Sequence, residues 1–239
     1  MSSDFQNLSG FKKNSTTFEF RYEPEYLLWD RAGAVWSKLK QYWPNMQVLD
    51  AKPNLTSFRI GDDFALEIGI DKAHISAFGV KHSDIIEPFE NFLYTVRKTL
   101  EITSYNRLGF RVIYEKKCNN NKQDSNYYFQ RMGIVNFPQR QLFNIKGMVH
   151  NPELSYNWED EKIGLRVAIK SVIQKVKFDA PQNMEDLKSI DIENDLLVVD
   201  LDYYTKAVTT PGQIKLSEWI NQIVHLINRD SQYLLGNAE

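Results

Sequence analysis

The chain has 239 residues, 42% hydrophobic and 25% charged, the proportions of an ordinary soluble globular protein with one large domain or two small ones. Its 29 Lys and Arg side chains nearly balance 31 Asp and Glu, which excludes a global field favouring nucleic acid or membrane, so any basic surface must be local. The single cysteine, Cys118, excludes an internal disulfide and fits a reducing cytoplasm.

The opening MSSDFQNLSGFKKNS has no apolar core of signal-peptide type, and no run of about 18 apolar residues follows that could span a bilayer. A soluble, cytoplasmic protein without a membrane partner is expected. The stretch TTFEFRYEP alternates apolar and polar side chains and predicts a strand. Pro24 then opens EYLLWDRAGAVWSKLKQYWP, in which Leu28, Ala32, Val35, Trp36, Leu39 and Trp43 recur at helical spacing until Pro44. TSFRIG, FALEIGID and AHISAFGV, separated by Asp pairs and Asp-Lys, predict an antiparallel meander. In SDIIEPFENFLYTVRKTLEI, Asp84 is placed to cap a second helix with Glu87 three residues on. Ile85, Phe89, Phe92, Val96 and Leu100 form its apolar stripe.

NRLGFRVIYEKK predicts a strand, and CNNNKQDSN after it is polar with almost nothing to bury, which suggests a flexible loop or a boundary between halves. GMVHNPELSYNW and EKIGLRVAIKSVIQKVKF predict further strands. From Asp179 to Asp202 the chain holds eight acids against Lys188 alone, beginning as a loop and ending in the strand NDLLVVDLDYYTKAV. A last helix, KLSEWINQIVHLINRDSQYLL, puts Leu216, Ile220, Ile223 and Ile227 on one face.

Two strands echo one another. RLGFRVIY (Arg107 to Tyr114) aligns without a gap with KIGLRVAI (Lys162 to Ile169). The match reads either as a duplication or as two strands obeying one alternation.

The NRLGFRVIY strand behind a helix beginning EPFENFLYTV, and the closing VVDLDYYTKA before a helix with LSEWINQIVHLINRD, resemble a sporadically distributed family of uncharacterised bacterial and archaeal proteins. The family's recognisable features are an arginine-bearing strand and a carboxy-terminal Asp-x-Asp-x-Tyr-like strand before a final helix. The resemblance covers about the last two thirds of the chain and implies no reaction. The family's patchy occurrence is similar to that of mobile-element and phage-defence genes, and implies a role there.

In the Asp-x-Asp strand, Asp200 and Asp202 leave one face while Val199, Leu201 and Tyr203 leave the other. A metal would need further converging ligands that nothing nearby supplies. Same-face carboxylates in an apolar strand instead call for cations, and Arg107 with Arg111, four apart on one strand, or Arg166 in the echoing strand, are expected to form a charge cluster with them. His74, His82, His150 and His225 are spread singly without zinc spacing. Cys118 is expected to be an exposed incidental thiol. There is no nucleophile elbow, Walker loop or dinucleotide fingerprint, so no catalytic, cofactor or metal residue is assigned.

Basic and aromatic residues interleave where Lys116, Lys117, Lys122, Arg131 and Arg140 accompany Tyr127 and Tyr128, a combination that binds single-stranded nucleic acid by stacking and phosphate pairing. The net negative charge favours instead core aromatics and solvated lysines. Trp29, Trp36 and Trp43 make a stripe that is either core or a protein interface.

The expected fold is α+β: antiparallel sheets with helices packed on one side, as two α/β halves spanning 1–117 and 127–239 about a flexible loop at 118–126. The expected function is a non-catalytic protein-interaction or scaffold protein, acting through another protein or through self-association, possible within a prokaryotic antiviral defence or mobile-element system. The alternative is nucleic-acid binding or metal-dependent nucleic-acid processing.

Overall fold

The computed structural model describes residues 10–118, 125, 152–178 and 190–235. In chain order the strands and helices are β1 (Lys12–Arg21), α1 (Leu27–Tyr42), β2 (Gln47–Lys52), β3 (Leu55–Ile60), β4 (Phe64–Gly69), β5 (Lys72–Phe78), α2 (Ile86–Leu100), β6 (Arg107–Lys117), β7 (Glu153–Glu159), β8 (Ile163–Phe178), β9 (Ile190–Thr205) and α3 (Leu216–Leu235). The strands form one nine-stranded sheet in the order β2-β3-β4-β5-β1-β6-β9-β8-β7, and every neighbouring pair is antiparallel. The fold is therefore α+β and dominated by strands.

The sheet's two faces follow from alternation along each strand. Phe18 and Phe20 of β1, Ile75 of β5, Phe110 and Val112 of β6, and Val199 and Leu201 of β9 are all at most 1% exposed. They join one core cluster with the buried faces of all three helices. Ring contacts tie this face to its cover: Phe18 stacks on Phe89 of α2 at 5.9 Å, and meets Trp219 of α3 edge-on at 6.4 Å. The α2 stripe Ile85, Phe89, Phe92, Val96 and Leu100 has no exposed surface at all. The hydroxyl of Tyr203, on the same face of β9, donates to Asp230 of α3 at 2.5 Å.

Three expectations are corrected here. The separate sheets of two halves are replaced by a single continuous sheet, because β9 inserts between β6 and β8 and so joins the strands that precede Cys118 to those that follow. Asp84 does not cap α2. It lies in a short 3₁₀ turn, His82–Asp84, where its carboxylate accepts from the Ser83 hydroxyl, and Ile85 occupies the cap position without a side-chain bond. The strand β2 was not expected: QVLDAK has no buried face and only one in-sheet neighbour, so it lacks the alternation that marks the others.

Candidate binding site on the open face of the sheet

The face turned away from the helices is polar. Its centre is the triplet β6, β9 and β8, in which the echo found in the sequence acquires a structural meaning. Both flanking strands run antiparallel to β9 in matching register: Gly109 and Gly164 stand opposite Tyr204, while Arg111 and Arg166 stand opposite Asp202. The two glycines clear space beside Tyr204, since a β-carbon on Gly164 would lie 2.2 Å from the ring, and one on Gly109 would touch Arg107 and Asp202 at 3.6 Å.

Arg107 reaches diagonally across the vacant position at Gly109 and donates to Asp202 at 2.5 Å. Its guanidinium lies 4.3 Å from the Tyr204 ring centroid, a cation–π contact strengthened by partial burial. A second carboxylate, Glu19 of β1, lies 3.8 Å from the same guanidinium. Arg111 binds Asp200 through two hydrogen bonds, Nε to Oδ1 at 2.7 Å and Nη2 to Oδ2 at 2.6 Å, the planar fork-to-carboxylate geometry that lysine cannot reproduce. Tyr204 donates to Glu159 at 2.7 Å, and Lys206 pairs with the same carboxylate at 2.9 Å.

The electrostatics follow from this packing. Burial raises the Asp202 carboxyl above its ordinary value; Arg107 opposes the shift, and Glu19 and Asp200 reinforce it. The hydrogen bond to Asp200 raises Arg111 further, so it is charged at every accessible pH. Lys206, then Tyr204, hold Glu159 below its usual range. His74 of β5 is lowered because burial outweighs the pull of Glu67 and Glu19.

These side chains line a groove of about 320 Å³, from Thr17, Glu19 and Arg21 of β1 across Arg107 and Arg111 to Arg166 and Lys170 of β8. Of its lining groups five are Lys or Arg and three are carboxylates. Arg21 pairs with Glu19, Arg107 with Asp202, Arg111 with Asp200, and Lys170 with Glu153 outside the groove. Arg166 has no ion pair among the described residues. Its Nε is 3.4 Å from the Ser155 hydroxyl, at the outer limit of a hydrogen bond.

Of the residues singled out in the sequence, Arg107, Arg111, Asp200 and Asp202 meet as two diagonal cross-strand ion pairs, and Arg166 shares their face without joining either. The three tryptophans separate: Trp29 is 58% exposed, whereas Trp36 and Trp43 pack partly against the core. Lys116 lies over Phe11, with its ammonium 5.6 Å from the ring centroid, and Lys117 is exposed at the end of β6. Lys122, Arg131, Arg140, Tyr127 and Tyr128 lie outside the described residues, as do His150 and, Ser125 apart, the stretch 119–126. Cys118 is buried, not exposed; its backbone N–H donates to Asp195 at 2.8 Å, which draws it under the end of β9. Buried Ser125 binds the Asp195 carboxylate as well, and its hydroxyl is 2.5 Å from that of Ser171.

Both aspartates already accept from arginine, and among the described residues no group of three His, Cys, Asp or Glu is arranged to hold a metal ion. A divalent cation at Asp200 and Asp202 would have to compete with Arg111 and Arg107 for their oxygens. Sequence reasoning missed Tyr204, Glu19, Glu159 and the two glycines. Tyr204 was legible in principle, being in phase with Asp200 and Asp202, and the glycines were marked by the echo.

A scan against protein-family models finds no match, and a search of curated proteins finds none either.

Proposed function

We propose that this chain is a non-catalytic binding protein that takes an acidic segment of a partner protein on the open face of its sheet. The observation that carries the reading is the groove, where five cations face three carboxylates and the pairing leaves Arg166 over. Charge of this kind steers and specifies encounter more than it adds affinity. No Phe, Tyr or Trp lies among the described lining residues, so the groove lacks the large aromatic platforms on which successive bases stack, and single-stranded nucleic acid suits it less well than a polypeptide. Among the described residues no helix is long and apolar enough to cross a membrane. The setting that fits is the cytoplasm, within the defence or mobile-element context that the family resemblance implies.

The test is recovery of partners from the native host with the tagged wild-type chain and with a double charge reversal, Arg166→Glu and Lys170→Glu. A protein held by the wild type and released by the reversal, and cross-linked through its own carboxylates to Lys170, supports the reading. Equal recovery by both removes the open face from consideration. Stabilisation of the wild type by a divalent ion, abolished in Asp202→Ala, would replace binding with the metal-dependent alternative.

A further inference from the structure

We infer that Arg166 is the anchor for one carboxylate of the partner, on the β8 side of β9. The inference rests on the binding role proposed above and names the group recognised. Its basis is the near-symmetry of the two strands that flank β9. Arg111 and Arg166 stand in the same register, each opposite Asp202. On the β6 side this placement ends in a complete ion pair, because Arg111 turns to Asp200 and closes two hydrogen bonds. On the β8 side neither of these two carboxylates is left, since Asp202 is held by Arg107 and Asp200 by Arg111.

The position beyond Arg166 on the same face is Ala168, directly opposite Asp200 and 1% exposed. Its methyl group offers Arg166 no acceptor, and Arg166 and Lys170 are the β8 side chains that line the groove. A guanidinium on the groove wall and outside any ion pair among the described residues can take a planar, two-oxygen acceptor. A carboxylate suits it better than a phosphate: Asp200 and Asp202 line the same groove, and repulsion from them grows with the charge of the incoming group. An Asp or Glu side chain of the partner therefore plays toward Arg166 the part that Asp200 plays toward Arg111.

The test uses the full chain labelled with ¹⁵N in its arginine side chains. Sodium acetate is titrated against sodium chloride at equal ionic strength, and the Nε–Hε signals of Arg166 and Arg111 are followed. A saturable shift at Arg166 with Arg111 unmoved is expected; shifts identical in both salts overturn the anchor. A fluorescein-labelled hexaglutamate peptide then reports on the groove, with a phosphoserine peptide of equal length as comparison. Arg166→Gln is expected to weaken hexaglutamate about tenfold or more, as loss of a charge-assisted pair does, and Arg166→Lys to restore part of it. The melting temperature should be unchanged, since Arg166 is exposed and outside the ion pairs. Hexaglutamate that binds the wild type and Arg166→Gln equally, but is lost on the Lys170→Glu reversal, overturns the anchor and leaves the binding face standing. Hexaglutamate that does not bind, or that binds the reversed groove as well as the wild type, overturns both. Tighter binding of the phosphoserine peptide overturns the choice of carboxylate.

Discussion

Tyr204 and Gly164, partners on adjacent strands, share one volume: the tyrosine ring fills the space that any side chain at position 164 would need, with its Cζ 2.2 Å from where a β-carbon would stand. That ring is what Arg107 stacks on and what Glu159 holds by its hydroxyl. Gly164→Ala must displace it, and overpacking of this kind costs about 1–3 kcal/mol. Gly109→Ala brings a β-carbon into ordinary contact at 3.6 Å and should cost clearly less. Denaturant melts of the two variants check the order, and equal losses would show that Tyr204 is not confined by β8.

The two diagonal ion pairs differ in the burial of their arginines, and a double-mutant cycle should resolve them. The side chains of Arg107 and Asp202 are 20% and 21% exposed, whereas Arg111 is 49% exposed against 14% for its partner Asp200. Solvent screening at the half-exposed Arg111 keeps that pair to about 1 kcal/mol or less. Coupling between Arg107→Ala and Asp202→Ala should reach about 1–3 kcal/mol, because each single change strands a partly desolvated partner. Strict additivity at Arg107 and Asp202 would dissolve the cluster into unrelated contacts.

His74 sets a pH dependence with a definite sign. Its folded-state value lies below the ordinary 6.5 because burial disfavours the imidazolium. The unfolded chain therefore takes up the proton first as the pH falls, so stability present above 6.5 is lost on the way down to the lower folded value. Unfolding free energies measured at about pH 7.5 and about pH 5.5 should fall more for the wild type than for His74→Gln. An identical fall in both would mean that Glu67 and Glu19 compensate the burial fully.

The tryptophan stripe should divide energetically as it does structurally. Trp29, exposed and touching Tyr26 edge-on at 5.3 Å, is expected to lose no more than about 0.5 kcal/mol on truncation to Ala, the range of surface changes. Phe89→Ala empties a site with no exposure and should cost about 3–5 kcal/mol. Thermal melts of the two variants decide the matter, and a large loss at Trp29 would place its ring in a self-association contact.

Periodicity carried the fold far, since each helix stripe and most strands declare themselves within the span of a few residues. The α2 stripe is buried residue for residue, and β3, β4 and β5 pair as a meander. What periodicity does not encode is which strands are neighbours. The junction of β6 with β9 joins Arg111 to Asp202 in register across the intervening chain, and nothing local to either segment specifies it. The same limit applied to the site. Alternation placed Arg107 with Arg111, and Asp200 with Asp202, on common faces, but the diagonal choice of partners depends on Gly109 leaving room for Arg107 to cross. β2 escaped notice for the opposite reason, being an edge strand whose side chains have little to pack against.

The insertion of β9 between β6 and β8 also imposes an order on assembly as the chain is made. When the ribosome has made β1 to β6, the strand β6 is an outer edge of the sheet, and its hydrogen-bonding groups face solvent until residues 190–205 emerge. Unpaired edges recruit other chains unless charge keeps them apart. Arg107 and Arg111 stand on that strand with their β9 carboxylates not yet made, so during this interval Arg107 has Glu19 of β1 beside it and both remain cations on the edge. The arginines that later close ion pairs thus serve first as guards against edge-to-edge association, and the arrival of Asp200 and Asp202 neutralises them as the edge itself is filled.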